Sequence, residues 1–199
     1  MSAKRTDGEA IAASLSEPRA FGVVFERHFA SILGYLRRRL DDRQAEEATA
    51  QTFFVAFDER GRFDRRRDDA RPWLFGIATN IARRHRRGEV RELRAIAALG
   101  ADPGTSNDGA EARVDAERMR GALARCLADL PAEECDVLYL LVWAELDQPE
   151  IAAALDVPLG TVKSRLSRAR KRIQAALDLP AADPSTDDLS PTGGTPWTT

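Results

Sequence analysis

The sequence predicts an all-α protein of two small helical domains joined by a flexible linker, the second containing a helix-turn-helix. Apolar residues recur at helical spacing through most of the chain, and no stretch alternates as a β-strand would. A run of turn-forming residues separates two such regions. Near the end of the second region, a helix cap, a tight turn and a basic helix follow one another.

Composition shifts divide the chain of 199 residues into five parts. Residues 100–109 are turn formers with no apolar periodicity, which is typical of a linker. The residues after Leu179 are too polar to bury enough apolar surface for folding. The predicted divisions are an N-terminal extension (1–20), a first helical domain (21–94), a linker (95–118), a second helical domain (119–177) and a disordered tail (178–199).

Three helices are expected in the first domain. Apolar side chains within Phe25–Leu40 have the spacing of one helix face, and a second helix is expected over residues 44–57. The third helix begins near Pro72, because proline is tolerated in a first helical turn. It is expected to continue through the arginine run at residues 83–87.

The second domain carries the helix-turn-helix signal. Asp147 is the expected N-cap of a short helix, and Glu150 three residues later completes a capping box around Pro149. Asp156 stands where the chain turns, and Pro158 lies near the start of a second, basic helix. An ordinary helical hairpin with a solvated basic face is the alternative. The expected DNA-facing residues of the second helix are Thr161, Lys163, Ser164, Arg165, Ser167, Arg168 and Lys171.

The net charge of −2 conceals a strong segregation of charge. Residues 62–94 contain 11 arginines against 5 acidic residues, and residues 160–172 contain 6 basic residues and no acidic one. Between them, residues 126–159 contain 8 acidic residues and no basic one. Two separate basic zones on an otherwise acidic chain indicate two contacts with a polyanion.

Several classes of protein are excluded by the same composition. No apolar run approaches the ~20 residues of a membrane span, so we expect a cytoplasmic protein without membrane insertion. Cys126 and Cys135 cannot complete a four-ligand zinc site, and His28 and His85 fall in different helices, so no metal is expected. The cysteines are expected to be packing residues, with a redox pair as the alternative. No phosphate-binding loop or catalytic constellation occurs, so neither a cofactor nor an enzymatic activity is expected.

Motifs in both domains resemble those of one family. The second domain contains Leu-Pro-Ala-Glu-Glu at 130–134, Glu-Ile-Ala-Ala-Ala-Leu at 150–155 and the basic helix at 157–170. These closely resemble region 4 of bacterial sigma factors, in particular the extracytoplasmic-function (ECF) group. Segments 45–57 and 73–82 of the first domain are similar to region 2.

The resemblance implies two partners, the core of RNA polymerase, through its clamp helices and flap, and promoter DNA. Region 2 of such proteins docks on the clamp helices and recognises and opens the −10 element, whereas region 4 binds the −35 element as duplex and also contacts the core. Many members of the family are also held by an anti-sigma protein, and that partner is left open here. The implied core contacts are Glu46, Glu47, Gln51 and Thr52, on the polar side of the 45–57 helix, and the implied −10 contacts are Arg65, Arg66, Arg67, Asn80, Arg83, Arg84 and Arg87.

Two other functions remain as alternatives. A stand-alone helix-turn-helix regulator would use the second domain alone, and the basic zone before the linker argues against it. A protein-interaction module would direct both basic faces at acidic partners and would not bind duplex DNA.

Overall fold

The protein is all-α, as predicted. The computed structural model describes residues 5–99 and 111–177, and these contain nine α-helices and no β-strand. Two short 3-10 segments, Pro18–Phe21 and Glu59–Arg62, flank the second and third helices. The helices are α1 (Asp7–Ser14), α2 (Gly22–Arg37), α3 (Asp42–Asp58), α4 (Arg71–Arg83), α5 (Arg86–Leu99), α6 (Glu111–Asp129), α7 (Ala132–Val142), α8 (Gln148–Leu155) and α9 (Leu159–Ala176).

Helices α2, α3 and α4 form the centre of the first domain. Leu36 is fully buried in their common core, where burial of a leucine side chain stabilises the fold by about 1.5–3 kcal/mol. The hydroxyl groups of Tyr35 and Thr79 form a buried hydrogen bond of 2.8 Å that joins α2 to α4. Helix α3 begins where the Asp41 side chain accepts a hydrogen bond from the Gln44 amide at 2.8 Å.

The expectation of one continuous helix through residues 83–87 is wrong. Helix α4 ends at Arg83, and α5 begins at Arg86. The amide of His85 donates to the carbonyl of Ala82 at 2.9 Å, a three-residue spacing that closes the turn between the helices. Arg83 therefore lies in α4, Arg84 is its C-cap residue, and Arg86 and Arg87 lie in α5.

Helices α6, α7, α8 and α9 form the second domain, and α8 and α9 are the predicted helix-turn-helix. The Asp147 side chain accepts from the Glu150 amide at 2.7 Å, and Glu150 accepts from the Asp147 amide at 2.8 Å. This confirms the predicted capping box. Asp156 has the left-handed backbone that the turn requires, with φ of 52°. Pro158 is the N-cap residue of α9.

The two domains are in direct contact and share one apolar core. Helix α5 packs along α6, and α4 packs on α8. A Cβ atom at Gly76 of α4 would lie 2.2 Å from the carbonyl oxygen of Ala154 in α8, so this approach requires glycine. The Arg71 guanidinium also donates to the Ala144 carbonyl at 2.6 Å. Contacts across the chain therefore hold the domains together.

Both ends of the predicted linker are helical. Helix α5 continues to Leu99, and α6 begins at Glu111. The middle of the predicted linker and the predicted tail (178–199) lie outside the described residues. Within the described part of the chain, no helix has the length and apolar character needed to cross a membrane.

Candidate nucleic-acid interface

Helix α9 presents a basic face to solvent. Val162, Leu166 and Ala169 are buried, and they anchor the opposite face against the rest of the second domain. The spacing of these three residues directs the intervening side chains outward. All seven residues predicted to face DNA are exposed or half-buried: Thr161, Lys163, Ser164, Arg165, Ser167, Arg168 and Lys171.

One buried carboxylate fixes the later part of this face. Glu134 of α7 is 4% exposed, and its Oε1 accepts from Nε of Arg168 at 2.9 Å. Its Oε2 lies 3.3 Å from Nε of Arg172. Both arginine side chains remain about half exposed, so the pairing orients them without removing them from solvent.

The loop before α4 carries the first group of predicted −10 contacts. We call residues 64–70 the arginine loop. Arg65, Arg66 and Arg67 are all exposed there. Asp64 accepts hydrogen bonds from the Arg66 amide at 3.2 Å and from its Nε at 3.0 Å, so this end of the loop has a defined turn.

The second predicted group lies at the junction of α4 and α5, and its members have different surroundings. Asn80, Arg84 and Arg87 are exposed. The Asn80 side-chain oxygen accepts from Nη1 of Arg83 at 3.2 Å. Arg83 also donates from Nε to Asp136 of α7 at 2.6 Å, so its guanidinium lies between the domains.

Arg83 belongs to a charged cluster that connects the domains. Asp136 is fully buried, and its Oδ1 lies 2.9 Å from Nη1 of Arg39. Nε of Arg39 lies 3.4 Å from Glu89, and Nη1 of Arg86 lies 3.1 Å from the same carboxylate. Three cations thus share two buried anions, which we call the interdomain charge cluster. The sequence did not predict this cluster, because a run of arginines is also typical of a DNA-binding face.

Arg86 ties α5 to the turn between α6 and α7. Its Nη2 donates to the carbonyl oxygens of Leu127 and Leu130 at 3.1 and 3.0 Å. It also contacts the Sγ of Cys135 at 3.3 Å. Burial raises the pKa of the Cys135 thiol to about 12, against the smaller opposing effect of Arg86. Cys135 is thus a buried packing residue, whereas Cys126 is only partly buried.

The polar side of α3 holds three of the four predicted core contacts. Glu46, Glu47 and Gln51 are exposed, but the expected placement of Thr52 on this side is wrong. Thr52 is fully buried, and its hydroxyl donates to a backbone carbonyl one turn earlier at 2.7 Å. The sequence analysis missed Phe54, which is 73% exposed. Adjacent residues on a helix point about 100° apart, which allows Phe53 to be buried while Phe54 is exposed.

One group of side chains has the composition of a metal site. Carboxylate and imidazole atoms of Asp7, His28 and Asp69 lie within 4.8 Å of one another. Both carboxylate oxygens of Asp7 already have partners. Oδ1 accepts a hydrogen bond from Arg27 at 2.7 Å, and Oδ2 lies 2.6 Å from Nε2 of His28. Burial alone would raise the pKa of Asp7, but the hydrogen bonds from His28, the Ala70 amide and Arg27 hold it well below its usual range. A neighbouring guanidinium disfavours a cation here, and the group is an ion-pair centre.

Comparison with known proteins covers both domains. The family model of sigma-70 region 2 matches residues 24–92, and that of sigma-70 region 4 matches residues 120–173. The ECF RNA polymerase sigma factor SigC of Mycobacterium tuberculosis is 30% identical over 96% of this chain and 100% of its own. The RNA polymerase sigma-H factor of Pseudomonas aeruginosa is 30% identical over 81% of this chain and 88% of its own.

Solved structures show the same fold. CnrH, in complex with the cytosolic domain of CnrY, superposes with a TM-score of 0.60 at 28% identity, over 86% of this chain and 97% of that chain. The sigma factor RpoE of Bartonella quintana, in complex with the anti-sigma factor NepR, gives a TM-score of 0.54 at 20% identity, over 82% and 99%.

The helix-turn-helix and the two matched regions define the class of sigma-70-type transcription proteins. Within that class, the chain belongs to the ECF group of RNA polymerase sigma factors. The resemblance of the sequence motifs is thereby confirmed. The family consists of regulators of transcription that are not themselves enzymes.

Proposed function

We propose that this chain binds the core of RNA polymerase and directs initiation at specific promoters, with α9 on the −35 duplex and the arginine loop and α4 on the −10 element. The observation that carries the proposal is the exposed basic face of α9, held by a capped helix-turn-helix within the region that matches sigma-70 region 4.

The geometry of α9 supports duplex reading. A helix fits the major groove, where residues near its start meet base edges and later cations meet phosphates. Arg165 lies in the second turn of α9 and is half-buried, so its stem is supported by the domain. An arginine fork can bind guanine O6 and N7 together. Arg168 and Lys171 lie further along the helix and suit phosphate contacts.

The first domain supports binding of a separated strand. A base removed from the duplex needs polar groups for its edge and a flat surface for stacking. Asn80 supplies an exposed amide, and Trp73 is partly buried with its ring centred 5.1 Å from that of Phe63. Arg84 and Arg87 are exposed at the same junction, where they can follow the backbone. Arg83 is exposed beside them, with its Nε bonded to Asp136.

We assign the contact with the clamp helices of the core to the exposed side of α3, and the contact with the flap to the second domain. Glu46 and Glu47 form surface ion pairs with arginines, at 3.3 and 2.7 Å, and such pairs exchange partners at little cost. Phe54 adds an apolar anchor to the same helix, and aromatic anchors in a polar surround are typical of interfaces. An anti-sigma protein is a further proposed partner, since the relative CnrH is solved with the cytosolic domain of CnrY.

The test is run-off transcription with purified core polymerase on a library of promoters. We expect initiation from a small set of sequences, and loss of that selection in the Arg165→Ala variant. Arg19→Ala is the matched control, because Arg19 is an exposed arginine outside both predicted DNA faces. A footprint on duplex without initiation would identify a stand-alone regulator. The absence of both initiation and footprints would identify a protein-interaction module, and either result contradicts the proposal.

A further inference from the structure

The first turn of α1 packs against the backbone of the arginine loop. The Asp7 amide donates to the Asp68 carbonyl at 3.0 Å, and the Asp7 carboxylate accepts from the Ala70 amide at 3.0 Å. The first residue of α1 is thus hydrogen-bonded to the arginine loop at two positions, Asp68 and Ala70. The match to sigma-70 region 2 begins only at residue 24, so α1 lies outside it.

Asp7 also connects this contact to α2. Its Oδ1 accepts from Arg27 at 2.7 Å, and its Oδ2 lies 2.6 Å from Nε2 of His28. The residue is 3% exposed, so these interactions form away from bulk water. A buried carboxylate with three partners holds those partners in a fixed arrangement, because loss of any one removes a hydrogen bond from a carboxylate that water cannot readily reach.

Gly8 brings the helix still closer to the loop. A Cβ atom at this position would lie 2.5 Å from the carbonyl oxygen of Arg67 and 2.9 Å from that of Arg65. Both obstacles are backbone atoms, so a larger residue must displace the loop. The start of α1 is itself fixed by a capping box between Thr6 and Glu9.

We propose that the first turn of α1 is a positioning element for promoter binding. It fixes the backbone of the arginine loop, so that Arg65, Arg66 and Arg67 project toward the −10 strand in one arrangement. A loop that is ordered before binding loses less conformational entropy on binding than a mobile one, and its arginines meet the strand in register. The inference rests on the proposed role of the loop in −10 recognition.

The experiment uses the full chain with core polymerase and compares two glycine variants. Gly8→Ala introduces a methyl group against the loop, whereas Gly22→Ala places one in open space. Open-complex formation is measured on a parent promoter, on one altered in the −10 element and on one altered in the −35 element. We expect Gly8→Ala to lower the −10 discrimination about tenfold, as loss of one base-reading arginine would, with −35 discrimination unchanged. Gly22→Ala is expected to leave both ratios unchanged.

A variant with Arg65, Arg66 and Arg67 all changed to alanine separates the two levels of the hypothesis. If this triple variant keeps full −10 discrimination, the proposed function of the loop is wrong. If the triple variant loses discrimination while Gly8→Ala and Asp7→Asn retain it, the positioning role of α1 is wrong and the function of the loop stands.

Hydrogen exchange provides a measurement that does not depend on Gly8→Ala being folded. In the wild-type protein the Ala70 amide is buried and bonded to Asp7, so we expect slow exchange. In Asp7→Asn, with helix content unchanged by circular dichroism, that amide is expected to exchange faster and −10 discrimination to fall. Unchanged exchange together with unchanged discrimination would overturn the inference.

Discussion

The arginines of α9 and those at the junction of α4 and α5 come from similar basic runs but have different surroundings. On α9, the residues that fill the core are apolar, and the basic side chains all remain at least partly exposed. At the junction, Arg84 and Arg87 are exposed, whereas Arg83 and Arg86 reach across to the second domain.

The difference lies in what each run faces. Helix α9 borders solvent along its outer side, and the buried carboxylate of Glu134 in α7 pairs with Arg168 and Arg172 in the later part of the basic face. The junction faces α7, whose Asp136 is fully buried. The acidic stretch between the two runs therefore supplies a buried carboxylate to each: Glu134 pairs with half-exposed arginines of α9, and Asp136 pairs with Arg83, whose side chain is 38% exposed. A basic run therefore predicts a nucleic-acid face only for those side chains that stay exposed after pairing with such carboxylates, as Arg168 and Arg172 do on α9.

The largest effect is expected at the interdomain charge cluster. Asp136→Ala removes the nearer of the two carboxylates that pair with buried Arg39 and is expected to lower the free energy of unfolding by about 3–5 kcal/mol. Urea denaturation measures this. The control is Asp129→Ala, since Asp129 forms an exposed pair with Arg94 at 3.7 Å and its loss is expected to cost about 0–1 kcal/mol. Equal effects of the two changes would show that the buried cluster is not a stabilising contact.

The next effect concerns the exposed face. Arg165→Ala is expected to lower discrimination between the −35 element and scrambled duplex by about 1–3 kcal/mol. The free energy of unfolding is expected to change by less than about 0.5 kcal/mol, because Arg165 lies on the solvent-facing side of α9. Fluorescence anisotropy on both duplexes measures the first quantity. A loss of the same size on both duplexes would refute a base-reading role for Arg165.

A smaller effect separates phosphate contacts from structural arginines. Lys171→Ala is expected to reduce the slope of log affinity against log salt by about 0.9, the value for one phosphate. Arg86→Ala is expected to leave the slope unchanged and to lower stability instead, because Arg86 binds two backbone carbonyls. Titration of duplex binding at several salt concentrations distinguishes them. If the slope changed in Arg86→Ala and not in Lys171→Ala, Arg86 would be the phosphate contact and Lys171 would not.

The smallest change is expected in thiol reactivity. Burial raises the pKa of Cys135 to about 12, so its thiol stays protonated at pH 8 and resists iodoacetamide. Cys126 is partly buried and is expected to react first. Since the folded pKa is raised, the stability linked to Cys135 is present below pH 9 and is lost as the pH rises toward 12. Mass spectrometry after timed alkylation measures the order, and rapid labelling of Cys135 would contradict it.

The helix-turn-helix could be predicted closely because its signals are local. The capping box at Asp147 and Glu150 and the turn at Asp156 depend on residues within a few positions of one another. The outward face of α9 followed from the helical period. The same reasoning placed Thr52 on the wrong side of α3, because threonine fits either face and its hydroxyl can bond within the helix.

The remaining features depend on contacts between distant parts of the chain. Arg83 and Arg84 are neighbours in sequence, and only the position of Asp136 distinguishes their roles. The short helix α1 was not predicted, since its position depends on Asp7 meeting residues of α2 and of the arginine loop. No local sequence pattern predicts contacts between residues that lie so far apart in the chain.

Because Asp136 pairs with both Arg39 and Arg83, the amino-terminal half of the chain depends on a residue that is synthesised later. Arg39 and Glu89 leave the ribosome well before Asp136 does, so the nascent amino-terminal half carries this charge pattern with its partner still unmade. Completion of α7 then supplies the missing carboxylate. A fragment that stops after α5 would keep these groups hydrated, and its melting behaviour would therefore not represent that half within the intact chain.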